Sequence, residues 1–332
     1  MSSLSSAPRS VIWIATARCF LRCVHCYAAQ YSGESEMSTE SAKRMIDEAA
    51  ELGARHLHIT GGDPVARSDL VQLLCYAYDA GLEVSVFTSL MHVPRDLIET
   101  IERIDATLYT SMDGGDRETF ERIRGRGTWE RFVENMKRVA REGIEIHVNC
   151  SITSLNWDRV AHAVERALEL GASSTSVIPA MKCGRAVETR SFIDRERLVK
   201  ALRMVDERAQ DLGVVVYAWC TPFVAALGLR NVVGYPCRTG SVEVVDITPG
   251  GNIVVCDVMD TRISNVVREG FRAAWEKYVS HDLVKKAITV PRECRGCTFV
   301  EQCRGGCFAR AFLEYGDVSR RDPLCPRGSA IP

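Results

Sequence analysis

Hydrophobic positions along the chain follow two alternating patterns. Short apolar, β-branched runs lie at 11–16 (VIWIAT), 56–60 (HLHIT), 82–88 (LEVSVFT), 106–112 (ATLYTSM), 144–152 (IEIHVNCSI) and 174–180 (STSVIPA). Their length and bounding turn residues predict strands. The segments between them space apolar residues as one face of a helix does. Ser38 and Thr39 are placed to start a helix that stops near Gly53, and Pro94 suits a first helical turn. Gly143 and Gly171 follow 128–142 and 157–170 as C-terminal caps do. Six strand–helix units in succession predict an α/β fold with a parallel sheet and crossover helices, open or closed into a barrel.

In such folds the loops that follow the strands share one face, and ligands bind there. Those loops hold the unusual residues of this chain. Cys19 follows the first strand, Gly61-Gly62-Asp63-Pro64 the second, Ser111 and Asp113-Gly114 the fourth, and Cys183 with Gly184-Arg185 the sixth. They are expected to converge on one mouth. The pattern changes after residue 218, which divides the chain into 1–218 and 219–332. The second part is rich in Gly, Pro and Cys, with strand-like runs SVEVVDI and NIVVC around the turn TPGG, a hairpin signal. Helical patterns follow near 269–287 and 304–315. This part reads as a small unit built around metal rather than around a large apolar core.

Composition narrows the function. The 332 residues carry 26% charged side chains and a net charge of −1, which does not point to nucleic acid. No apolar run reaches membrane-spanning length, and MSSLSSAPRS is not a secretory signal. A cytoplasmic protein with reduced thiols is expected. Fourteen cysteines then need a chemical reason. Four are scattered (Cys75, Cys150, Cys183, Cys220), and ten fall in two groups, at 19–26 and 237–325. Grouped thiols in a reduced compartment point to zinc or iron–sulfur ligation. Three cysteines are one too few for a structural zinc site. His25 is the near alternative ligand, but its place beside Cys26 hinders tetrahedral closure.

Cys19-x3-Cys23-x2-Cys26, with His25 before the last cysteine and a strand before the first, resembles the signature of the radical S-adenosylmethionine enzymes. The resemblance implies a partial (β/α)6 TIM-like barrel. It also implies a [4Fe–4S] cluster on these three cysteines, its open iron chelating the amino and carboxylate groups of S-adenosylmethionine. TGGDP (60–64) resembles the family's GGEP loop, so Gly61, Gly62 and Asp63 would approach the methionine amino group, with Asp63 one methylene shorter than the usual Glu. Within 108–125, Ser111 would approach the cofactor and Arg124 would pair with its carboxylate. Gly184-Arg185-Ala186 also fits the family pattern.

The later cysteines resemble the SPASM extension, which adds a β-hairpin, short helices and two auxiliary [4Fe–4S] clusters. The resemblance assigns Cys237, Cys256 and Cys307 to the first, and Cys294, Cys297, Cys303 and Cys325 to the second. The first set has three, which leaves its fourth position to Cys220, to Cys183, or open to substrate. Asp257, directly after Cys256, stands where relatives carry a base that takes a proton during substrate oxidation.

The implied activity is reductive cleavage of S-adenosylmethionine to a 5′-deoxyadenosyl radical, hydrogen abstraction, and net oxidation of a peptide or protein. A ferredoxin or flavodoxin would donate the electron. About ten residues precede the first strand, so no N-terminal peptide-binding domain is expected and a separate protein would deliver the peptide. The alternatives are a small-molecule substrate, as in propionate decarboxylation of a haem precursor, or no catalysis at all. In the last case the chain is a multi-cluster electron carrier or a zinc-stabilised binding module.

Overall fold

A computed structural model describes residues 7–237 and 243–328. All six expected strands form: β1 (Ser10–Thr16), β2 (His56–Gly61), β3 (Glu83–Phe87), β4 (Thr107–Ser111), β5 (Ile146–Ile152) and β6 (Ser174–Pro179). They pair in parallel and in sequence order, and two short strands, β7 (Val216–Ala218) and β8 (Val232–Val233), extend that edge. The result is a partial (β/α) barrel followed by a smaller C-terminal subdomain.

The crossover helices begin and end where local chemistry dictates. In α1 (Thr39–Leu52) the Ser38 hydroxyl accepts from Ser41 N, and Gly53 closes the helix at φ +114. Pro94 stands at the N-cap of α3 (Arg95–Arg103), and Gly143 and Gly171 follow α5 (Trp129–Arg141) and α6 (Val160–Glu169). Strand alternation then sorts side chains between two surfaces. Val11, Trp13, Ala15, Leu57 and Ile59 pack outward against α1, which contributes Met45, Ile46 and Ala49. The alternate positions of the same strands face the barrel lumen.

The hairpin at TPGG forms, with β9 (Val244–Ile247) antiparallel to β10 (Asn252–Val254) and β10 antiparallel to β11 (Arg262–Asn265). The first residues of the SVEVVDI run, 241–242, lie outside the described residues. This hairpin does not stand apart from the barrel. Strand β9 pairs in parallel with β1, from Ser10↔Val244 to Trp13↔Ile247, so one eleven-stranded sheet runs through both parts. Glu34 fastens the join, its Oε1 accepting from Thr248 Oγ1, Gly250 N and Asn252 Nδ2.

The part after 218, expected to be built around metal rather than around a large apolar core, also adds to the core of the barrel. Helix α10 (Phe271–Ser280) packs on α1 and buries Phe271, Trp275 and Tyr278 in the same core as the barrel. Further on, short helices take over: α12 (Val300–Cys303) and α13 (Phe308–Tyr315). Among the described residues no helix is long and apolar enough to cross a membrane.

Candidate active site at the mouth of the barrel

The loop after β1 carries Cys19, Cys23 and Cys26, and the loops after three other strands grip it. From β2, Gly62 N donates to Thr16 O and Asp63 N to Arg18 O, both at 2.7 Å. A Cβ on Gly61 would lie 2.4 Å from Thr16 O, and one on Gly62 2.3 Å from Arg18 O. The glycine pair is therefore required by close backbone packing, whatever else it binds. From β6, Gly184 (φ +51) would place a Cβ 2.4 Å from Cys26 O. Arg185 N donates to Cys26 O at 3.0 Å and Arg185 Nη1 to Cys23 O at 2.7 Å. Thr189 and Ser191 hydroxyls both donate to Val24 O. From β4, Arg124 Nη1 lies 3.7 Å from Cys23 Sγ while its Nε donates to Asp113 Oδ2 at 2.5 Å.

Arg124 and Asp113 are both buried, and Asp113 Oδ1 accepts from Ser151 N at 2.7 Å. His25 Nε2 stands 3.6 Å from Asp113 Oδ2, and burial pulls the His25 pKa down to about 4. His25 thus faces a carboxylate behind the loop instead of closing a metal site with the three sulfurs. Asp63 is wholly buried. Its Oδ1 accepts from Val65 N, and its Oδ2 from Ser89 N and the hydroxyls of Thr88 and Ser89. It ties the second-strand loop to the loop after β3. Ser111 ends β4 opposite Asn149, on the lumen side.

The lumen below this mouth carries stacked rings. Phe87 and Tyr109 lie 4.3 Å apart at 12°, and His147 and Trp219 5.2 Å apart at 3°. Sequence reading passed over these residues, because Phe87, Tyr109 and His147 are only the polar or aromatic alternates in strand patterns and Trp219 lies in the turn after β7.

On the far side of the cysteine loop stands Asp257. Its carbonyl accepts from Gln30 Nε2 at 2.8 Å and Tyr31 Oη at 2.7 Å, and its carboxylate from the Tyr27 hydroxyl. Asp257 N donates to Asp246 Oδ2 at 2.9 Å. Burial raises both carboxyl pKa values, that of Asp246 far above the usual range, with Asp257 adding repulsion. Tyr27, Gln30, Tyr31 and Asp246 were not singled out from sequence. Tyr27 adjoins Cys26, but its partner is 230 positions away.

Among the described residues Asp246, Cys256 and Asp257 are the one group with three potential ligand atoms within 4.8 Å of one another. That spacing suits a single ion, and two such centres are not seen among the described residues. A cubane cluster holds its thiolates farther apart than the ligands of one ion. Cys294, Cys297, Cys303 and Cys325 all line one cavity of about 270 Å³. Burial pushes the Cys294 thiol up to about 11 and the Cys303 thiol to about 12. Four soft sulfur donors on one cavity fit an iron–sulfur cluster. Cys256 in turn lies in the electrostatic field of Cys237 and Cys307.

With this geometry in place, comparison with known proteins is informative. Residues 13–167 match the Radical SAM superfamily. The chain is 28% identical to the AdoMet-dependent heme synthase of Methanosarcina barkeri over 98% of both chains. It is 28% identical to the PqqA peptide cyclase of Ruegeria pomeroyi over 97% of this chain and 88% of that one. In three dimensions it resembles Streptococcus suis SuiB bound to precursor peptide SuiA, with TM-score 0.75 at 16% identity, over 97% of this chain and 76% of SuiB. The last likeness establishes the fold.

Proposed function

We propose, on the premise that the chain is a radical SAM superfamily enzyme, that it oxidatively modifies a peptide or protein at the mouth of its barrel. Cys19, Cys23 and Cys26 would hold a [4Fe–4S] cluster with one iron left for S-adenosylmethionine. When bound, the pair supplies reductive cleavage to a 5′-deoxyadenosyl radical, which takes a hydrogen atom from substrate. The chain's own residues do the positioning. Gly61 and Gly62 let backbone come close, Ser111 lines the lumen beside the site, and Asp63 braces the loop that would meet the ammonium group. Arg124 keeps a positive charge against the Cys23 sulfur. Arg185 holds the cysteine loop by its carbonyls.

One observation carries the oxidative reading. Asp257 is bound on one side by Tyr27, Gln30 and Tyr31 from the cysteine loop, and on the other it follows Cys256. A proton leaving the substrate radical would reach this raised-pKa carboxylate. The matching electron would pass to an auxiliary cluster on Cys237, Cys256 and Cys307, and onward to a second on Cys294, Cys297, Cys303 and Cys325. A one-electron donor such as ferredoxin or flavodoxin would supply the first cluster. The peptide cyclase relatives support a peptide substrate. A second reading, maturation of a haem precursor, is favoured by the end-to-end match to a heme synthase and by the flat stacked rings of the lumen.

Anaerobically reconstituted protein is expected to hold about twelve irons. Replacing Cys19, Cys23 and Cys26 together by alanine should abolish 5′-deoxyadenosine formation and leave about eight irons. Continued cleavage in that variant would refute the site. Loss of two hydrogens from a peptide supports the first substrate class, and loss of carbon dioxide from a propionate-bearing tetrapyrrole the second.

A further inference from the structure

Cys220 stands between β7 and the turn Pro222–Leu227, outside the grouped cysteines. Its side chain is hydrogen-bonded to the Cys307 thiol and also lies in the electrostatic field of Cys237 and Cys256. Of the other scattered cysteines only Cys183 comes near this set, and of its members it is near Cys307 alone. Cys183 adjoins Cys26, Asp257 and Cys307, Cys150 lies behind Asp113 and Arg124, and Cys75 Sγ accepts from Arg103 on the outer helices. Cys220 therefore touches Cys307 and has Cys237 and Cys256 in its neighbourhood.

Its backbone is held for the purpose. Cys220 adopts φ +55, a left-handed conformation that non-glycine residues avoid. Arg310 keeps it there, with Nη2 donating to Cys220 O at 2.6 Å. The same guanidinium pairs with Asp322 at 2.9 and 2.7 Å, and Asp322 Oδ2 accepts from Cys307 N at 2.8 Å. Arg310 N also donates to Cys307 Sγ at 3.4 Å. One buried ion pair thus positions both of the cysteines that touch.

We infer that Cys220 is the fourth thiolate of the first auxiliary cluster and closes the set Cys220, Cys237, Cys256 and Cys307. The inference rests on the iron–sulfur reading above and deepens it. A cluster closed by four thiolates has no iron for a substrate, so it accepts electrons across space while Asp257 meets the substrate.

The test uses the full chain carrying Cys19→Ala, Cys23→Ala and Cys26→Ala, reconstituted without oxygen, so that all remaining iron is auxiliary. Carbon-13 cyanide, which binds an iron lacking a protein ligand, is added and its hyperfine coupling read by electron–nuclear double resonance on the reduced protein. No coupling is expected in this parent. Adding Cys220→Ala should produce coupling at one cluster, or lose that cluster's half of the iron. Adding Cys220→Ser should retain the iron with altered g-values, and adding Cys183→Ala should match the parent. Coupling already present in the parent, or none in an iron-replete Cys220→Ala protein, overturns the assignment, as does equal iron loss with Cys183→Ala. A parent without iron overturns the cluster reading itself, and this assignment with it.

Discussion

The cysteine loop at 19–26 and the cysteine-lined cavity at 294–325 present the same side chains on unlike supports. The loop is gripped from three directions by neighbouring loops, through the backbone of Gly62, Asp63 and Arg185 and the side chains of Arg124 and Arg185. Its scaffold is a parallel sheet with a continuous apolar core. The cavity is walled by short helices and turns, and from 292 to 304 Cys294 is the sole buried residue. The first region is held by backbone and side-chain bonds from its neighbours. In the second, beyond residue 304, Phe308, Ala309, Val318 and Leu324 join the shared core, so a cluster would replace apolar packing only over the segment that carries Cys294, Cys297 and Cys303.

The largest effect should come from stripping iron. Chelation is expected to loosen the segment bearing the exposed Arg292, Arg295 and Arg304 and to raise tryptic cleavage there about tenfold over the loaded protein, while the barrel keeps its cooperative thermal transition. Equal protection in both states would erase the proposed contrast. Next comes the cradle. Gly62→Ala or Gly184→Ala should cost about 3 kcal/mol of stability, because the new Cβ meets backbone that cannot retreat. Site iron should fall while auxiliary iron stays, as read by iron analysis and thermal melts. Retention of all three clusters in both variants would show that the grip is not needed.

The smallest effect concerns the barrel alone. His147 is buried between Ser174 Oγ at 2.7 Å and Ser176 Oγ at 2.8 Å. Burial pulls its pKa down to about 4, against 6.5 when exposed. The unfolded chain therefore binds the proton first. Stability from this residue is complete above pH 6.5 and declines as pH falls toward 4, by at most about 3 kcal/mol. The slope should persist without iron and disappear in His147→Gln. A slope that vanishes on iron removal would mean that barrel stability depends on the clusters after all.

Much of this was legible in the chain itself. The six barrel strands stood out as β-branched runs bounded by turn residues, and the helix ends at Ser38, Gly53 and Gly171 obey local capping chemistry. The spacing of Cys19, Cys23 and Cys26 marked their loop because three ligands on one short segment form a local pattern. The rest depended on pairing across long separations. No local signal announces that Val244 will lie beside Ser10, that Asp257 will be bound by Tyr27 and Tyr31, or that Asp63 will be consumed by Ser89.

By itself, then, the sequence determined the alternating elements, the order of loops on one face and the local thiol motifs, since each arises from interactions among near neighbours. Only the tertiary structure decided that the hairpin joins the barrel sheet, that Asp257 bridges the two cysteine regions and that Cys220 lies against Cys307. Those arrangements come from packing and hydrogen bonding between segments that chain order keeps far apart.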